Sequence, residues 1–120
     1  MSLQAQLRSC ASGPPTAAGD GSITQTFCLA AGLACYEGHF PGEPVTPAVV
    51  QVLLARVVLE DALGRRLRVR QVNGGEFRRV VKPEERVDVR LRRTADDVYL
   101  ATLAVGDAPA AKFSLTVEPA

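Results

Sequence analysis

The residue types best suited to chemistry stand together in Tyr36-Glu37-Gly38-His39-Phe40-Pro41-Gly42-Glu43-Pro44-Val45-Thr46-Pro47, which runs straight into the apolar stretch Ala48–Leu54. His39 is the one histidine of the chain, and a free imidazole, with a pKa of about 6.5, takes up and releases protons near neutral pH. Its neighbours are prolines and glycines, the first locking φ and the second admitting conformations closed to other residues, so the backbone here is irregular and stiff. Pro47 suits the opening position of a helix, where its missing N–H leaves nothing unpaired. The spacing thus predicts an imidazole on a rigid loop ahead of a helix start whose free N–H groups face outward. That layout suits proton transfer beside a carbonyl. The plainer alternative is a loop histidine held by backbone carbonyls.

Other candidate groups carry less. Glu37 and Glu43 flank His39. Glu60 and Asp61 fall two turns along the expected helix, about 10 Å beyond Leu53 at ~1.5 Å per residue. All four carboxylates read most simply as solvated charges. Arg78, Arg79, Lys82 and Arg86 form the densest basic cluster, suited to an acidic partner or a phosphate, or else to a solvated strand face. A single histidine with no second ligand at helical or turn spacing gives no metal site. Cys10, Cys28 and Cys35 are odd in number and form no CxxC pair, so they read as small apolar residues in a reducing cytoplasm.

What must position the loop is legible in outline. A length of 120 residues suggests one domain, 1–120, with 1–21 as an N-terminal segment and loop. The chain has six aromatic residues and no tryptophan, which leaves Val, Leu and Ala to build the core. A net charge of +1 gives no global field to attract nucleic acid or a membrane surface. The longest apolar stretch, Val49–Leu59, is broken by Gln51 and Arg56 and is too short for a membrane span. No secretion signal is evident at the N-terminus.

Residues 1–9 fit a short helix or an edge strand, Ala11–Gly21 a surface loop, and Ile23–Ala30 a strand. Pro47–Leu63 is the clear helix, closed by Gly64. It is apolar around nearly its whole circumference, as a helix enclosed by other structure should be. Val49 and Val52 read as core positions. Arg66–Arg70 and Arg86–Arg92 alternate arginine with aliphatics, and Glu76–Val81, Asp97–Val105 and Ala110–Val117 complete about five later strands. Asn73-Gly74-Gly75, Lys82–Glu85, Thr94–Asp96 and Gly106–Pro109 supply the turns. This order predicts an α+β fold in which a curved antiparallel sheet wraps one central helix.

Two blocks carry a family resemblance. Glu37-Gly38-His39-Phe40-Pro41-Gly42-x-Pro44-x-x-Pro47-x-Val49-Val50-Gln51 resembles the active-site loop and helix start of hot-dog-fold 3-hydroxyacyl-[acyl-carrier-protein] dehydratases, with the Gln most similar to the aryl-polyene-cluster (ApeI-like) branch. Glu76-Phe77-Arg78-Arg79-Val80-Val81-Lys82-Pro83-Glu84 is similar to that family's Lys-Phe-x-x-x-Val-x-Pro-Gly-Asp strand and turn. The resemblance covers about residues 22–118. It implies a cytoplasmic hot-dog dimer, homodimeric or paired with another hot-dog subunit, whose two sites lie between subunits. It implies no bound cofactor: the substrate is an acyl-carrier-protein or CoA thioester, carried on phosphopantetheine into a tunnel between subunits. His39 would act as base and the Ala48 N–H as oxyanion donor. Phe40, Gly42, Val49 and Gln51 would contact substrate, with Phe40 and Leu53 along the tunnel, while Arg78, Arg79 and Lys82 would dock the carrier protein.

One departure from the family pattern bears on activity. The family's acid lies fourteen positions after the histidine, where this chain has Leu53. Four residues on, Val57 stands where the family often has Gln, and Ala48 replaces the glycine whose N–H binds the thioester oxygen. Alanine keeps that N–H; leucine keeps no acid. The sequence therefore implies a dehydratase that is slow alone, or a non-catalytic acyl-binding subunit of a heteromeric dehydratase. A thioesterase ranks third, because no acid on the first turns of the helix could activate water.

Overall fold

The computed structural model describes residues 2–36 and 44–120. In chain order the elements are α1 (Leu3–Ser9), β1 (Thr16–Ala17), β2 (Ile23–Cys28), a 3₁₀ turn (Ala34–Tyr36), α2 (Ala48–Leu63), β3 (Leu67–Phe77), β4 (Arg86–Ala95), β5 (Val98–Val105) and β6 (Ala108–Pro119). The strands form one sheet in the order β1-β2-β4-β5-β6-β3, antiparallel throughout. The sheet curves around α2 in the hot-dog arrangement.

Alternation explains why these segments are strands. Val87, Val89 and Leu91 of β4 are buried, while Arg86, Arg90 and Arg92 face solvent. Ala111, Phe113, Leu115 and Val117 of β6 repeat the pattern. Onto this face α2 lays Val50, Leu54, Ala55, Val58 and Leu59, which join Phe27, Leu103 and Phe113 in one core. Gly64, in the left-handed region at φ 67°, ends the helix, and its N–H donates to the Glu60 carbonyl at 2.9 Å. Leu3–Ser9 takes the helical option: α1 buries Leu7, and Arg8 ties it to the end of α2 through Glu60 at 2.8 Å and Asp61 at 2.9 Å.

Several expectations require correction. Asn73-Gly74-Gly75 is no turn, and the two strands expected around it are the single β3. Both flanks pair with β6, and the register slips between Asn73↔Ser114 and Glu76↔Lys112. Gly74, at φ 64°, lets the strand absorb the extra residue as a bulge. Four strands therefore follow α2 rather than about five. The Ala11–Gly21 loop contains the two-residue β1, paired to β2.

Pro47 precedes the helix instead of opening it. Its ψ of 152° is extended, and its carbonyl accepts from the N–H groups of Val50 and Gln51, the role of a capping residue. Nor is α2 enclosed at its start: Ala48 is exposed, Val49 is 74% exposed, and Val52 and Leu53 are half-buried. Val49 is thus not a core residue in the protomer. Glu60, expected to be solvated, is buried; its carboxylate accepts from the Leu67 N–H at 2.8 Å and from Arg8.

Candidate active site

His39, Phe40 and Gly42, with Glu37 and Glu43, lie outside the described residues. What the structure does show is how both flanks of their segment are held at the start of α2. On one side the 3₁₀ turn delivers Tyr36, which is buried; its hydroxyl hydrogen-bonds the Thr46 hydroxyl at 2.7 Å on the other. Thr46 is buried too, and its N–H donates to the Val81 carbonyl at 2.7 Å. Burial pushes the Tyr36 phenol above its ordinary pKa, against the opposing effect of the Thr46 hydrogen bond.

Gln51 completes this buried polar group. Its Nε2 donates to the Thr46 carbonyl at 3.2 Å, while its Oε1 is buried with no donor among the described residues. Gln51 is 4% exposed, so in this protomer it braces the base of the loop. No sequence signal pointed to the Tyr36–Thr46–Gln51 connection, because it joins residues from three elements.

The helix start itself is bare. Pro47 has no side-chain oxygen to cap it, and among the described residues the N–H groups of Ala48 and Val49 have no acceptor. Unpaired N–H groups at a helix start favour a carbonyl oxygen that is gaining negative charge. Beside them, Leu3, Val49, Val52, Leu53 and Val69 wall an apolar cavity of about 220 Å³ that reaches Arg56. Val49 and Leu53 stand one turn apart on the same face of α2. Leu53 offers this cavity only aliphatic surface. The contributions of Leu3 and Val69 could not be read from sequence, since α1 and β3 meet α2 only in the fold.

Arg78, Arg79 and Lys82 are exposed beyond the end of β3, as a docking patch requires, but carboxylates occupy two of them. Arg78 pairs with Glu76 and Arg79 with Glu85, each at 2.9 Å. Arg86 lies 3.7 Å from Asp88. A roomier cavity of about 430 Å³, among Glu76, Arg78, Thr102, Asp107 and Lys112, involves no residue of α2. No helix of the described residues is long and apolar enough to cross a membrane.

The fold defines the class: a hot-dog protein, its one curved antiparallel sheet packed on α2. Comparison with known proteins specifies it further. The ApeI-like family, described as ApeI dehydratase, matches residues 16–119, and the chain belongs to that family. The 3-hydroxyacyl-[acyl-carrier-protein] dehydratase FabZ of Caulobacter vibrioides is 28% identical over 104 residues, covering 76% of this chain and 65% of that protein. The chain thus spans just under two thirds of the curated relatives it matches. Among solved structures, the dehydratase heterocomplex ApeI:P from Xenorhabdus doucetiae superposes with a TM-score of 0.77 at 13% identity, covering 89% of this chain and 95% of that one. A hypothetical thioesterase with coenzyme A from Streptococcus pneumoniae TIGR4 gives 0.65 at 10% identity over 98% and 94% of the two chains. Those two likenesses bear on the fold alone.

Proposed function

We propose that this protein is a dehydratase of 3-hydroxyacyl thioesters presented on the phosphopantetheine arm of a carrier protein or CoA, and that it is slow when it acts alone. The observation that carries the reading is the Ala48 and Val49 N–H pair, without an acceptor among the described residues, at a helix start whose Val49 lines an apolar groove, in a chain of the ApeI-like dehydratase family. In the reaction, His39 takes the C2 proton and the Ala48 N–H stabilises the charge that moves onto the thioester oxygen. The C3–oxygen bond then breaks, and the hydroxyl leaves as water once it receives a proton. An acid for that last proton is lacking at Leu53, so His39 must return the proton it took. Losing one acid–base participant typically costs about 10²–10⁴ in rate.

Leu53 also favours a second reading. The chain would be the acyl-binding subunit of a heteromeric hot-dog dehydratase whose partner supplies the acid; the Xenorhabdus structure of the same fold is itself a dehydratase heterocomplex. One experiment separates the two: dehydration of 3-hydroxyacyl-pantetheine by the purified chain, by His39→Ala, and by the chain mixed with a hot-dog subunit that retains the carboxylate. Slow turnover lost in His39→Ala supports the first reading. Turnover appearing only in the mixture supports the second. Rapid turnover by the chain alone contradicts the role given to Leu53, and turnover indifferent to His39→Ala contradicts the mechanism.

A further inference from the structure

A buried side-chain bond joins the two flanks of the segment that carries His39. Tyr36 stands three residues before His39 and Thr46 seven after it. Both residues are buried, and their hydroxyls meet at 2.7 Å. Neither hydroxyl has another partner among the described residues.

Thr46 is the more firmly held of the two. Its N–H donates at 2.7 Å to the carbonyl of Val81, between β3 and β4, and its own carbonyl accepts from Gln51 Nε2 of α2 at 3.2 Å. It also stands two residues before Ala48, the first residue of α2. A single residue is therefore tied to the connection beside the sheet, to the helix and, through Tyr36, to the chain that leads into His39. The base and the oxyanion donor of the proposed reaction are thus referenced to one point. That matters because a misplacement of about 1 Å between reacting groups can cost roughly 10² in rate.

Stability alone does not account for the pair. Folding only exchanges hydroxyl bonds to water for bonds within the protein, so apolar residues of the same shape would hold the fold nearly as well. What two hydroxyls add is direction, because an O–H···O bond fixes both distance and angle. Burial also pushes the Tyr36 phenol above its ordinary pKa. The bond therefore keeps its proton throughout the range in which an imidazole titrates.

We propose that Tyr36 and Thr46 are a positioning pair: their bond sets His39 against the Ala48 N–H, and it contributes to rate rather than to stability. Neither hydroxyl takes part in the bonds that change. The proposal rests on the reading that His39 and the Ala48 N–H act on one thioester, and it gives a role to two residues that this reading leaves without one.

The test compares wild type, Tyr36→Phe, Thr46→Val and the double variant in dehydration of 3-hydroxydecanoyl-pantetheine and in urea unfolding. Each single variant should lower kcat by about tenfold to 10²-fold with KM nearly unchanged. The double variant should be no slower than the singles, because both changes act through one bond. It should also regain the stability the singles lose, since no hydroxyl is then left unpaired. Thr46→Ser should recover most of the rate lost in Thr46→Val. A folded double variant with wild-type kcat overturns the proposal, and so do losses in the two singles that multiply in the double.

A second readout needs no turnover. His39 is the only histidine of the chain, so its ring gives a single titration curve by NMR. The midpoint should differ between wild type and Tyr36→Phe, which keeps the ring and carries the test if the double variant does not fold. Identical midpoints overturn the proposal. If wild type shows no His39-dependent turnover, the dehydratase reading fails, and the ring titration alone decides whether the pair positions His39.

Discussion

Placing an acid at position 53 tests the proposed chemistry most directly. Leu53 is half-buried against the groove, one turn beyond Val49, and about 7.5 Å along the axis from the Ala48 amide at ~1.5 Å per residue. Full burial of a leucine contributes about 1.5–3 kcal/mol, so losing a half-buried one costs on the order of 1 kcal/mol. A carboxylate there stays in contact with water through the open groove, which avoids the far larger cost of a sealed charge. Leu53→Asp should therefore fold. Against this stands a gain of up to 10²–10⁴ in rate for a restored acid–base participant, equivalent to ~3–5 kcal/mol off the barrier at 1.36 kcal/mol per decade.

No packing has been shaped around the new side chain, so the low end, about 10², is the expected outcome for an unsupported catalytic group. The assay is the rise in enoyl-thioester absorbance with 3-hydroxyacyl-pantetheine, run beside Leu53→Asn, which matches the shape of aspartate and cannot supply the proton. The Leu53→Asp rate should also fall as pH rises through the range where a water-exposed carboxyl titrates, about 4, because the group then loses the proton it must deliver. If a folded Leu53→Asp is no faster than Leu53→Asn, the missing acid is not what limits this protein.

Glu60→Ala strands the buried Leu67 N–H and frees Arg8 from α2; because Arg8 is partly exposed, the cost comes mainly from the stranded amide, about 1–3 kcal/mol, and a urea midpoint indistinguishable from wild type would contradict the buried role given to this carboxylate. Tyr36→Phe removes one end of the bond to Thr46 and should cost ~1 kcal/mol. Because burial raises the Tyr36 pKa in the folded state, the unfolded chain loses this proton first, so stability should decline as pH climbs past about 10; denaturant melts across that range should show a shallower decline in Tyr36→Phe.

How much of this the sequence disclosed depends on where each signal resides. Alternation in Arg86–Arg92 and the cap at Gly64 are local, and the structure keeps them. Asn73-Gly74-Gly75 is local too, but ambiguous. The same residues make a hairpin turn or a bulge, and only pairing of both flanks with β6 decides. The all-round apolar character of α2 implied enclosure, yet a chain cannot show by itself which neighbour covers its first turn. Glu60 misled for the complementary reason. A helix-end carboxylate is usually wet, and its burial follows from Arg8 arriving on α1, far away in sequence. Within the site, residue types single out the loop and Leu53 as candidates, while the Tyr36–Thr46 bond required three dimensions.

The two halves of α2 do different work, and the division explains how so bare a helix start persists. Leu54, Ala55, Val57, Val58 and Leu59 are almost wholly removed from water, and truncating any one of the leucines would cost about 2–5 kcal/mol. Apart from Val50, that anchoring lies beyond the first turn. The first turn can then forgo a capping side chain, a loss of about 0.5–2 kcal/mol relative to Ser or Asp at Pro47, without endangering the fold. Proline at that position has a further consequence. A Ser or Asp cap would place its own oxygen on the Val49 or Val50 N–H, whereas Pro47 fixes the backbone and has no side-chain acceptor. Burial along the rest of the helix thus permits a first turn whose Ala48 and Val49 N–H groups have no acceptor among the described residues, the donors that the proposed function assigns to the thioester.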